Sequence, residues 1–188
     1  MRELKREPIL TDTFESVSLF TPMPGSAYIY RVSNEDRSGH TEQWRKSCKD
    51  VQFIEVTTES VSGFQVSGIE EEFFLRSAAS LSRLLGPLGT GRVLYVDITG
   101  LSHPTWAALI RAAISARMEV RAVYVEPYRY KRSAAPLEGQ IYDLSARIAG
   151  IAPMPGFATI SMTEESVFVP LLGFERSEEH TSELQSQR

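Results

Sequence analysis

Residues 92–130, RVLYVDITGLSHPTWAALIRAAISARMEVRAVYVEPYRY, alternate most sharply between apolar and polar segments. Val93, Leu94, Tyr95, Val96 and Ile98 form a short apolar run of the kind that makes a buried strand. Asp97, Thr99, Gly100 and Ser102 place polar groups where that strand ends. Pro104 suits the first turn of a helix, with Ser102 or His103 as the cap before it. Trp106, Leu109, Ile110, Ala113 and Ile114 then share one face at helical spacing. Residues 120–125 predict a second buried strand, which stops at Glu126 and Pro127. Two strands joined through a helix run parallel, because only a crossover returns the chain to the same edge of the sheet. In such sheets ligands gather at the carboxyl ends of the strands.

The remaining pattern is weaker but of the same kind. Residues 1–24, broken by Pro8, Pro22 and Pro24, predict an irregular N-terminal arm. Residues 27–32 and 52–57 predict strands, with a short helix over 42–49 between them, and 61–66 a weaker strand or hairpin arm. Residues 70–85 predict a helix, acidic at its start, with Phe74, Ala78, Leu81 and Leu85 on one face and Gly86-Pro87 ending it. A helix over 141–148 and strands over 158–161 and 167–172 follow, Pro170 marking an edge or bulge in the last. The alternation predicts an α/β fold, a Rossmann-like three-layer domain with a mostly parallel sheet over residues 25–175.

Composition narrows the function classes. The formal net charge of −4 argues against nonspecific binding to duplex nucleic acid. Cys48 is the single cysteine, so neither an intramolecular disulfide nor a cysteine metal cluster is expected, and a reducing, cytoplasmic setting follows. No window of the sequence approaches a membrane span, and no cofactor or metal is implied. Residues 176–186, RSEEHTSELQS, resemble an in-frame translation of a common short-read sequencing adapter. That resemblance implies that 176–188 are not native and that His180 carries no role. It implies too that the domain is truncated at its C-terminus, a fragment of a longer bacterial-type protein. Without Arg176, Arg188, Glu178, Glu179 and Glu183 the charge of −4 becomes −3.

The polar positions at the predicted strand ends are the candidate site. Asp97, Thr99, Gly100 and Ser102 offer a carboxylate, hydroxyls and a permissive backbone ahead of a helix N-terminus, where free N–H groups suit an anion. Asp97 repels an anion, so its partner is a ribose hydroxyl, a base amine or a metal-bound water, unless it only shapes the turn. Glu126 sits at the next strand end among Tyr124, Tyr128, Arg129 and Tyr130, where rings and cations suit a base and phosphates. Arg31, ending the first strand, is a further anion contact, and His103 a candidate general base. His40 lies in a polar loop and Trp106 is a core residue; Cys48, beside Lys46 and Lys49, is structural. Neither a glycine-rich dinucleotide fingerprint nor a Walker sequence occurs.

The segment VDITGLSHPTWAALIRAAI, followed by VRAVYVEP, resembles the strand-turn-helix-strand core of CRISPR-associated Rossmann-fold (CARF) sensor domains. There an Asp-x-Thr-Gly turn opens toward a cyclic oligonucleotide; Asp97, Thr99 and Gly100 carry the likeness. Leu101, Ser102 and His103 stand where that family usually has further glycine, threonine and lysine. Three functions are compatible with these features. The first is binding of a nucleotide or phosphorylated small molecule at the strand ends. The second is a hydrolase or transferase on a nucleotide-like substrate, with Asp97, Glu126 and His103 as catalytic candidates. The third is a non-catalytic interaction module. Oligomeric state is not legible.

Overall fold

The computed structural model describes residues 11–33, 36–89, 91–126 and 154–157. The chain divides into two compact units, Met1–Glu126 and Pro127–Arg188. In the second, residues 154–157 form a turn closed by the Phe157 N–H on the Met154 carbonyl. The expected helix over 141–148, the strands over 158–161 and 167–172, and the tail from 176 lie outside the described residues.

The first unit is an α/β fold with one six-stranded sheet, mostly parallel but mixed, and three α-helices among the described residues. The strands are β1 (Ala27–Tyr30), β2 (Gln52–Glu59), β3 (Gly63–Val66), β4 (Ile69–Phe74), β5 (Val93–Asp97) and β6 (Glu119–Val123). The helices are α1 (Thr41–Ser47), α2 (Ala78–Leu85) and α3 (His103–Ser115). The sheet order is β4-β3-β2-β1-β5-β6. β1 pairs in parallel with both β2 and β5, and β5 with β6, whereas β3 is antiparallel to both of its neighbours, β2 and β4. From β1 the chain moves to β2 on one side and later returns at β5 on the other. The crevice between the carboxyl ends of β1 and β5 is therefore the point where strand order reverses.

Side-chain alternation sorts the core onto the two faces of the sheet. Ala27, Ile29, Leu94 and Val96 pack with Leu81, Leu84 and Leu85 of α2 and Ala108, Leu109 and Ala113 of α3. Tyr28, Tyr30 and Tyr95 turn the other way and pack with Trp44 of α1. Phe20, from the irregular segment before β1, seals this aromatic cluster edge-on against Trp44 and Tyr95, ring centroids 5.1 Å and 5.7 Å away.

Two elements differ from expectation. Residues 69–74 form a strand, not the first half of a helix, and α2 begins only at Ala78. Gly68, at φ +79°, turns the chain back on β3, and Phe73 buries against Phe64. Ser77 starts the real helix, its side chain accepting the Ser80 N–H. β6 is mostly exposed, not buried, because it ends the sheet order among the described residues. Ser102 caps α3, with Pro104 in the first turn as its fixed φ favours.

Candidate functional site

The turn after β5 is built by Asp97. Its Oδ1 accepts the Thr99 N–H at 2.8 Å, a side-chain-to-backbone turn of the kind Asp favours. Thr99 Oγ1 in turn accepts the Val125 N–H at 2.9 Å, tying the turn to the chain leaving β6. Gly100 is required by space: a Cβ there would lie 1.9 Å from the Arg31 carbonyl oxygen. The turn thus packs directly on the end of β1, closing the crevice where strand order reverses.

Beneath it lies a group that the one-dimensional pattern did not single out. The His40 ring, at the end of the 3-10 turn Asp36–His40, places Nε2 3.4 Å from Asp97 Oδ2 and 3.3 Å from Tyr28 Oη. Its Nδ1 donates to the Arg37 carbonyl at 2.7 Å. The side chains are only 4% (His40) and 0% (Asp97) exposed. Burial pushes the Asp97 carboxyl above the usual carboxylate range, opposed by the nearby His40 charge and by hydrogen bonds from Thr99 and Gly100. Burial, with the Asp97 and Tyr95 charges adding to it, holds the Tyr28 phenol well above its ordinary value.

His40 also lines an open cleft of about 530 Å³. Val17, Arg37, Gly39, Lys46 and Val125 share it, with Glu42 and Gln43 on α1. Arg37 Nη1 donates to Tyr124 Oη at 2.8 Å and to the Val125 carbonyl at 3.3 Å, and its guanidinium lies 5.2 Å from the Tyr124 ring centroid. The loop after β1 is thereby clasped to the end of β6. Lys46 pairs with Glu42 one turn away on α1 at 2.8 Å, which holds the Glu42 carboxyl below its usual range. A second cavity, of about 310 Å³, lies beside the start of β2, where Phe53, Ile54, Leu84 and Leu88 meet Arg45 and Arg83.

The N-terminus of α3 is occupied by a carboxylate of the chain itself. Glu59 Oε1 accepts both the Ser102 N–H at 3.0 Å and the Ser102 hydroxyl at 2.9 Å, and Arg31 Nη1 lies 3.2 Å from Glu59 Oε2. An anion is what the helix dipole favours there. Glu59 reaches α3 through a bulge. β2 pairs Val56 with Val66 but Thr58 with Gln65, so Thr57 is an extra residue. The alternation shifts by one, and Glu59 follows Ile54 and Val56 onto the face that carries α3.

The structure therefore joins Asp97, Thr99 and Gly100 in one turn and Arg31 with Ser102 around Glu59. It does not join Asp97, Glu126 and His103. Asp97 is enclosed, whereas Glu126 is exposed and hydrogen-bonded to nothing among the described residues; His103 is exposed with its ring on Trp106, centroids 5.7 Å apart. Arg129 lies outside the described residues, as do Tyr128 and Tyr130. Arg37, His40, Tyr28 and Glu59 were missed. Their one sequence signal was polarity close to the ends of the first two strands. Among the described residues no three His, Cys, Asp or Glu side chains converge so as to hold a metal, and no helix is long and apolar enough to cross a membrane. Comparison of the chain with protein-family models, with curated proteins and with solved structures finds no match.

Proposed function

We propose that this chain carries a Rossmann-like three-layer domain of a cytoplasmic protein. In this proposal it binds a nucleotide or another phosphorylated small molecule at the carboxyl ends of its parallel strands, in the cleft beside His40. The observation that carries this is the cleft itself. It lies at the loop after β1 and at the end of β6, and among the described residues Arg37, Lys46 and His40 line it with the Glu42 carboxylate. A guanidinium and an ammonium suit phosphate oxygens, and the volume falls in the range of small-molecule sites. Asp97 then acts by holding His40 and the Thr99 turn rather than by touching ligand. The likeness of Asp97, Thr99 and Gly100 to a CARF turn points to the same ligand class, cyclic oligonucleotides included.

The catalytic reading draws less support. Asp97, Glu126 and His103 are not in contact, and the His40 ring is enclosed, its nitrogens facing the Arg37 carbonyl, Tyr28 and Asp97 rather than the cleft's open side chains. Thermal-shift and calorimetric screening of mono- and dinucleotides, cyclic oligonucleotides and pyrophosphate on the full chain tests the proposal. Stabilisation by at least one of them is expected, weakened about tenfold by Arg37→Ala through loss of a charge-assisted hydrogen bond. A folded protein that responds to none of these probes contradicts it.

A further inference from the structure

One nitrogen of His40 is committed and the other is not. Nδ1 faces the Arg37 carbonyl at 2.7 Å, and a carbonyl only accepts, so Nδ1 carries a proton in either charge state. Nε2 stands nearly midway between Tyr28 Oη at 3.3 Å and Asp97 Oδ2 at 3.4 Å, both long for hydrogen bonds. A neutral ring presents a lone pair at Nε2, which the Tyr28 hydroxyl can fill while Asp97 Oδ2 has no donor. A protonated ring presents Nε2–H, for which Asp97 Oδ2 is the charged acceptor. Each protonation state therefore has its own partner already in place.

The charged and titratable groups around the ring belong to every element that packs against it. Tyr28 comes from β1, and Asp97 and Tyr95 from β5. Arg37 comes from the ring's own turn, its guanidinium bonded to Tyr124 beyond β6, and Glu42 and Lys46 come from α1 as an ion pair. Trp44 covers the remaining side with an uncharged ring, centroids 4.9 Å apart. Glu42 and Lys46 offset each other at the cleft, so Asp97 is the charge that His40 meets directly.

We propose that Tyr28, His40 and Asp97 form a proton switch beneath the cleft: His40 pairs with Asp97 when the shared proton is present and with Tyr28 when it is absent. The Nδ1 bond passes the change to Arg37, whose side chain lines the cleft. An anion in the cleft favours the protonated state, so ligand binding takes up a proton. This coupling rests on the anion-binding reading of the cleft; the switch itself does not.

Nuclear magnetic resonance on the isotopically labelled full chain separates the two. As pH is varied, Nδ1 is expected to stay protonated. Nε2 and the Asp97 carboxyl carbon are expected to change in a common coupled step. His40→Gln, which removes the ring that shares the proton, is expected to abolish that common step. Independent titration of Nε2 and Asp97, or proton loss from Nδ1, overturns the switch in the wild-type protein alone, whether or not the variant folds. Pyrophosphate is expected to shift the common step to higher pH. Binding without that shift overturns the coupling. Absence of binding counts against the cleft as an anion site, while the two nitrogens still decide the switch.

Discussion

Gly100→Ala is the sharpest structural test of how the site is assembled. The added carbon would sit 1.9 Å from the Arg31 carbonyl oxygen and 3.0 Å from its carbonyl carbon, with Ser38 Cβ at 3.4 Å. Ordinary contact begins near 3.4 Å, so the turn and the end of β1 must part by about 1.5 Å. Both sides of the clash are backbone, one fixed by the β1–β5 ladder and the other by the Asp97 and Thr99 hydrogen bonds. No side chain can swing aside. The cost lies at the upper end for overpacking, about 3 kcal/mol, against a total stability of about 5–15 kcal/mol for a typical domain. With a urea dependence of about 1–3 kcal/mol per molar, the unfolding midpoint falls by roughly 1–3 M. Gly86→Ala is the control: no atom lies within 4 Å of its would-be Cβ and its backbone is helical, so no loss is expected. If Gly100→Ala matches that control, or gains the few tenths of a kcal/mol an unconstrained glycine yields, the packing of this turn on β1 is refuted.

Other substitutions probe the remaining parts. Burial raises Asp97, so its contribution to stability is present while the carboxyl is protonated and is lost as pH rises through its folded value. Asp97→Asn should therefore lose less stability than wild type as pH rises from acid through that range; parallel urea midpoints at every pH would count against it. Glu59→Ala leaves the Ser102 N–H without its acceptor and Arg31 without its partner, a loss of about 1–3 kcal/mol, with Glu59→Gln milder. Equal stabilities of the two variants in urea titrations would deny that the charge matters at α3. Leu109→Ala should cost about 2–5 kcal/mol as a core truncation. Ile114→Ala, at a side chain 63% exposed, should change stability by no more than about 0.5 kcal/mol in the same assay.

The strand-turn-helix-strand unit was legible because each signal in it is local. A β-branched run, an Asx turn, Pro104 after a cap and a helical apolar stripe agree without help from distant residues. The strand over residues 69–74 was not legible. Its glutamates read as an acidic helix start, and only pairing with β3 and the Phe64–Phe73 contact make it a strand. His40 was passed over because its loop gives no sign that the sheet brings it to Asp97, fifty-seven positions later. Glu59 depends on a one-residue bulge, which no periodicity announces. Ile114 matched the helical spacing of Ile110 yet faces solvent, because spacing marks a face only as wide as the neighbours that cover it.

The cleft at the carboxyl ends of β1 and β6 as an anionic-ligand site is tested most directly by amide-shift mapping of the full chain titrated with ADP. Saturable shifts are predicted at Arg37, Gly39, His40, Lys46 and Val125, and their loss in Arg37→Ala. Saturable shifts centred instead on Phe53, Ile54 and Leu84 around the other cavity, or none at saturating ADP and pyrophosphate alike, would contradict it.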